Sequence, residues 1–74
     1  MDRATVELLL PFVNEPYAQM SFEAYVAHRL SILYKTLENP LTTAESTKVT
    51  QGQIIELRRL LTLRDEINGE AKRL

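Results

Sequence analysis

Apolar side chains recur along most of this chain at intervals of three and four, the spacing that lines one face of a helix. The clearest run is Phe22, Val26, Leu30, Leu33 and Leu37, with Ala27 and Tyr34 flanking the same face and Arg29, Lys35 and Thr36 on the other side. A helix is therefore predicted over residues 16–38. Pro16 suits a first helical turn, where its missing N–H has no partner to lose. Pro40 drives Asn39 out of helical geometry and sets the stop. Ser21, ahead of Phe-Glu-Ala, is a competing start.

The flanking segments follow the same period. Asp2 can cap a short first helix over residues 3–10, which should end or kink at Pro11. Thr42, with Glu45 three positions later, reads as a capping box. It opens a third helix over residues 43–67, with Asn68-Gly69 as a helix-stop pair and residues 70–74 as a frayed tail. No alternation of apolar and polar residues suggests a strand. Two helices of about twenty residues or more, joined by a short Asn-Pro-Leu-Thr turn, must fold back on one another. The expectation is an all-α fold with a single domain over residues 1–74. It is an antiparallel αα-hairpin of two long helices with a short N-terminal helix, assembled into a helical bundle.

The third helix carries more apolar surface than one partner can cover. Val49, Leu60, Leu63 and Ile67 form one stripe, and Ile54, Leu57 and Leu61 form another, rotated by roughly a quarter turn or more. Together they span about half the circumference, wider than the roughly 100° that faces a single helix. One stripe can pack on the second helix. The other needs the short first helix, through Val6, Leu9 and Leu10, or another chain. Ile54, Leu57 and Leu61 are accordingly the first candidate protein interface. Tyr25 and Ile32, seven apart and off the core stripe, are the second; Ile55 points outward in the same way.

Some positions within this helix carry their own expectations. Gly52 falls roughly opposite Leu30 and Ala27 and marks a candidate close crossing; a tolerated glycine in an exposed turn is the alternative. Gln53 and Arg64 lie between the two stripes, where polar groups must find partners. Arg64 should reach the open end of the hairpin near Tyr17 and Glu15.

Composition narrows the chemistry. The chain has 74 residues, with nine basic and ten acidic side chains, one histidine and no cysteine. A formal charge of −1 provides no basic field for generic nucleic-acid or membrane binding. Without cysteine there is no disulfide framework, thiol nucleophile or thiolate zinc site. His28 has Ile32 and Ala24 at its four-residue offsets, so HExxH zinc spacing is absent. Ser21, Ser31 and Ser46 have no histidine-acid arrangement beside them, and no glycine-rich phosphate loop or EF-hand occurs. No catalytic residue, metal ligand or cofactor is expected, and the chain reads as a non-enzyme without a small-molecule substrate. The acidic start and the longest apolar run, Leu8 to Val13, fit neither a secretory signal nor a membrane span. The expected location is cytoplasmic or virion-associated.

The run from Gln51 to Leu63, Gln-Gly-Gln-Ile-Ile-Glu-Leu-Arg-Arg-Leu-Leu-Thr-Leu, follows an upstream helix opening on Pro16-Tyr17. The combination resembles a pattern in small open reading frames of tailed bacteriophages, over roughly residues 12–67. The resemblance implies a helical hairpin from a group of genes that often serve virion assembly, and it transfers no functional residue. The leading expectation is a helical protein–protein interaction or assembly module, of a virion-assembly or host-interaction kind. It would bind itself, as a homo-oligomer, or another protein. The alternative is a nucleic-acid-associated regulator using Arg58, Arg59 and Arg64. These arginines radiate to different sides of the helix and are diluted by Glu56, Asp65 and Glu66, so a solvated charged face is the favoured reading of them.

Overall fold

The computed structural model describes all 74 residues, and its only regular secondary structure is helix. Four helices follow in order: α1 (Arg3–Val13), α2 (Pro16–Glu38), α3 (Ala44–Leu60) and α4 (Leu63–Arg73). α2 packs on α3, and α1 packs chiefly on α4 and more lightly on α2. Two small apolar clusters result. Val26, Leu30 and Leu33 of α2 bury Ile54 of α3, with Phe22, Tyr34, Leu37 and Leu57 packed around them. Val6 and Val13 of α1 bury Ile67 of α4, with Leu9, Leu10, Phe12, Leu63 and Ala71 alongside. An edge-to-face contact between Phe12 and Phe22, with ring centroids 5.7 Å apart, joins α1 to α2.

The ends of α2 lie where the prolines require. Pro16 occupies its first turn, with Glu15 capping through a hydrogen bond accepted from the Ala18 N–H. At the other end Asn39 accepts from the Leu41 N–H at 2.9 Å, and the Thr42 hydroxyl donates to the Thr36 carbonyl at 2.6 Å. Thr42 is thereby spent on the turn. The cap of α3 is Thr43, which accepts from the Ser46 N–H at 3.1 Å, and the expected Thr42–Glu45 capping box does not form. The helix starts one residue later than the box implied.

α1 does not end at residue 10. It passes through Pro11 and delivers Phe12 and Val13 to the second cluster, where Val13 is 1% exposed. A proline inside a helix costs roughly 3 kcal/mol. Burial of a valine and part of a phenylalanine returns about 1.5–3 kcal/mol per fully buried side chain. Asn14 adds to this by donating its N–H and its side-chain amide to the Leu10 carbonyl, at 3.2 and 3.1 Å.

The predicted continuous third helix is two helices. Leu61 and Thr62 donate their N–H groups to Arg58 and Arg59, three residues back, and the Thr62 hydroxyl donates to the Arg59 carbonyl at 2.7 Å. A hydroxyl bonded back onto the preceding turn bends a helix. The signal was present in charge: Arg58 and Arg59 close α3 and Asp65 and Glu66 open α4, each favourable to its helix dipole.

Asn68-Gly69 does not stop α4, which continues to Arg73 and leaves no frayed segment before Leu74. Asn68 exchanges two hydrogen bonds with Asn14: each side-chain amide donates to the other's oxygen, at 2.9 and 3.1 Å. That clasp, with Ala71 packed on the second cluster, anchors the segment that local propensity would release. Gly69 has no positive φ, and neither does any other residue.

The close crossing expected at Gly52 is also absent. A Cβ there would meet no atom within 4 Å, because α3 presents Thr50 and Ile54 to α2 and turns Gly52 outward. Gly52→Ala should therefore raise stability by about 1 kcal/mol in thermal melts, the full helix-propensity gain. In the same assay Leu33→Ala should cost about 2–5 kcal/mol, while the exposed Leu60, which the period placed in a core stripe, should lose under about 1 kcal/mol on the same change.

The asparagine clasp predicts strong coupling. Asn14→Ala and Asn68→Ala should each cost about 0.5–1.5 kcal/mol, and the double variant clearly less than their sum. Additive losses in denaturant titrations would show that the two amides do not act together.

At the N-terminus, hydrogen bonds from the Thr5 hydroxyl and N–H hold the Asp2 carboxyl below its ordinary pKa of 3.8. The stabilisation from this cap is present above that value and is lost as pH falls through the lowered pKa. Asp2→Asn keeps an acceptor but cannot titrate, so acid titrations of wild type and variant should be fully separated above about pH 3.8 and converge as pH falls through the lowered pKa.

Candidate interaction surface

At 100° per residue, Val26, Leu30 and Leu33 point from α2 towards α3, and Tyr25 and Ile32 point roughly a third of a turn away. Thr36 lies on the same side as Tyr25 and Ile32. With Glu45, Ser46, Val49 and Thr50 it lines one open recess of about 400 Å³ between the two helices. That recess fixes which side of α3 continues this face: the side bearing Val49 and, eleven residues on, Leu60. Tyr25 (62% exposed), Ile32 (41%), Val49 (63%) and Leu60 (38%) thus share one face of the α2–α3 layer. The recess itself contributes a single carboxylate, Glu45, among hydroxyls.

The structure redistributes the residues singled out from the sequence. Ile54 is buried under α2, and Leu57 is packed against the same cluster. The stripe predicted to lack cover is therefore largely covered within the chain. The stripe assigned to the core divides instead: Leu63 and Ile67 go under α1, while Val49 and Leu60 stay in solvent. Leu61 is exposed at the bend. Tyr25 and Ile32 are the pair that keep their predicted outward position, and Ile55 is exposed on the opposite face.

Charged residues distinguish the two faces. On one, the Arg58 guanidinium lies over the Tyr34 ring at 5.7 Å, worth about 0.5–1 kcal/mol at an exposed site. Lys48 and Arg59 project on that side as well. On the face of Tyr25 and Ile32 the charges are Arg29, half-buried, and Glu45 and Glu56, exposed. None takes part in an ion pair; the pairs in the chain are Arg3 with Glu7 and Glu70 with Arg73. Arg64 and Gln53 are exposed rather than held between apolar stripes, and Arg64 pairs with neither Tyr17 nor Glu15. Arg58, Arg59 and Arg64 form no common stripe, since the bend at Thr62 separates Arg64 from the others.

His28 is exposed, and no three His, Cys, Asp or Glu side chains gather closely enough to hold a metal ion. No helix is long and apolar enough to cross a membrane. One buried polar residue was not legible from periodicity. Gln19 sits on the core face of α2, donates to Glu23 at 3.1 Å, and keeps its own carbonyl oxygen buried without a partner. A glutamine in register with Phe22 and Val26 was the available signal. No protein-family model, curated protein or solved structure matches this chain.

Proposed function

We propose that this chain is a non-enzymatic helical assembly module in which α2 and α3 form an antiparallel hairpin and present an apolar face to itself or to another protein. The observation that carries this reading is surplus surface. The chain exposes 5617 Å², against roughly 4,700 Å² for a compact monomer of its mass. Its radius of gyration is 15.5 Å, where a compact chain of this length has roughly 11 Å. Exposed large apolar side chains stand on α2 and α3, among them Tyr25, Ile32, Val49 and Leu60. The likeness of residues 12–67 to small tailed-phage proteins supports placing that assembly in a virion or at a host protein.

Sedimentation equilibrium is the test. The protein should exceed the mass of one chain at micromolar concentrations. It should keep that mass as salt rises, because apolar association is not weakened by screening. A steep fall of binding with salt, on duplex DNA, would instead support an arginine-based regulator. A chain that is monomeric at high micromolar concentration and retains no protein from its native cell would overturn the assembly reading.

A further inference from the structure

The two helices that meet at the turn set a simple register. Residues equidistant from the turn lie level, so Leu30 stands beside Ile54 in the first cluster. By the same register Tyr25 is level with Leu60, Arg29 with Glu56, and Ile32 with the turn of α3 just beyond Val49. On the exposed face each helix therefore carries an apolar–charged–apolar series: Tyr25, Arg29, Ile32 along α2 and Leu60, Glu56, Val49 along α3. The central charges are opposite, and neither has an ion-pair partner within its own chain.

We propose that a second copy of this chain covers this face, across a two-fold axis running along α2 and α3. Such an axis lays α2 of one copy over α3 of the other and keeps the levels matched. Tyr25 then meets Leu60 of the second copy and Arg29 meets its Glu56, while Ile32 falls level with its Gln53, one turn beyond Val49. The reciprocal contacts follow from symmetry, as an isologous interface requires. The result is a four-helix layer-on-layer bundle with two symmetric ion pairs at its middle.

Two further observations bear on a second copy. The surface surplus of the whole chain is roughly 900 Å², close to the about 800 Å² that each partner contributes to a standard interface. On the opposite face α3 carries Lys48, Arg58 and Arg59 and α2 carries Glu23 and Glu38, so charge alone does not separate the two faces. What distinguishes it is that Arg58 is already seated on the Tyr34 ring of its own chain.

This proposal rests on the assembly reading, and the full-length chain can separate the two. Tyr25→Glu with Ile32→Glu changes two side chains exposed in the single chain, so helicity by circular dichroism should persist while the sedimenting mass falls to one chain. Val49→Lys, on the other helix, should weaken association in the same direction. Arg29→Glu and Glu56→Arg should each raise the dissociation constant about tenfold or more, and the two together should restore it towards wild type. Additive losses in the double charge reversal would overturn the paired register. An unchanged mass in the Tyr25–Ile32 variant, with dissociation produced instead by Leu57→Glu and Leu61→Glu, would overturn this face and leave self-assembly standing. A monomeric wild type that binds a different protein would overturn the second copy as occupant and still leave an interaction module.

Discussion

The bend at Leu61-Thr62 is the constraint on which the rest of the molecule depends. A straight helix from residue 44 to residue 73 would carry apolar groups around about half its circumference, more than any one neighbour covers. The bend divides that arc between two partners. α3 gives Ile54 and Leu57 to α2, and α4 gives Leu63 and Ile67 to α1. Neither cluster is large: the Phe12–Phe22 contact ties one to the other, and the Asn14–Asn68 clasp reinforces the second by holding α4 to the end of α1. Straightening the bend would detach α4 from α1 and leave Val6, Val13 and Ile67 in water.

Elements set by local chemistry were legible in the sequence. The bounds of α2 follow from Pro16 and Asn39-Pro40, and its buried face follows from the three-four spacing of Val26, Leu30 and Leu33. What periodicity missed depended on partners distant in sequence. Pro11 is tolerated because Val13 finds Ile67, and Asn68-Gly69 is carried through because Asn68 finds Asn14, 54 residues away. The start of α3 turned on competition between two adjacent threonines, decided by a hydroxyl that the turn had already engaged. The division of α3 from α4 was partly legible, in the passage from Arg58-Arg59 to Asp65-Glu66. The apolar period continued across that point and masked it.

Tyr25 and Ile32 could be placed outside the core of α2 from spacing alone, since a seven-residue separation nearly superposes two side chains. Val49 and Leu60 could not be joined to them, because α3 had two stripes and the sequence did not say which one α2 would take. Burial of Ile54 decided that. Once Ile54 faces α2, Val49 and Leu60 must rotate to the side of Thr36, and the four apolar residues come onto one face.

That face is not a second core. Thr36, Ser46 and Gln53 interrupt its apolar residues, and Arg29 and Glu56 stand at its middle. A uniformly apolar face would bind more tightly but would accept sliding by one helical turn, because apolar contacts carry little directional information. In the proposed pairing a central charge on each helix would resist such sliding: displacement would move Arg29 from the second copy's Glu56 towards apolar or neutral neighbours and leave both charges desolvated without compensation. The apolar residues would then supply attraction, and the charges would restrict it to one register. The small chain would gain from such an arrangement, since few of its residues are fully buried alone. Association that favours the folded chain would add to its stability in proportion to the logarithm of concentration, so that folding and the proposed assembly would be one coupled equilibrium.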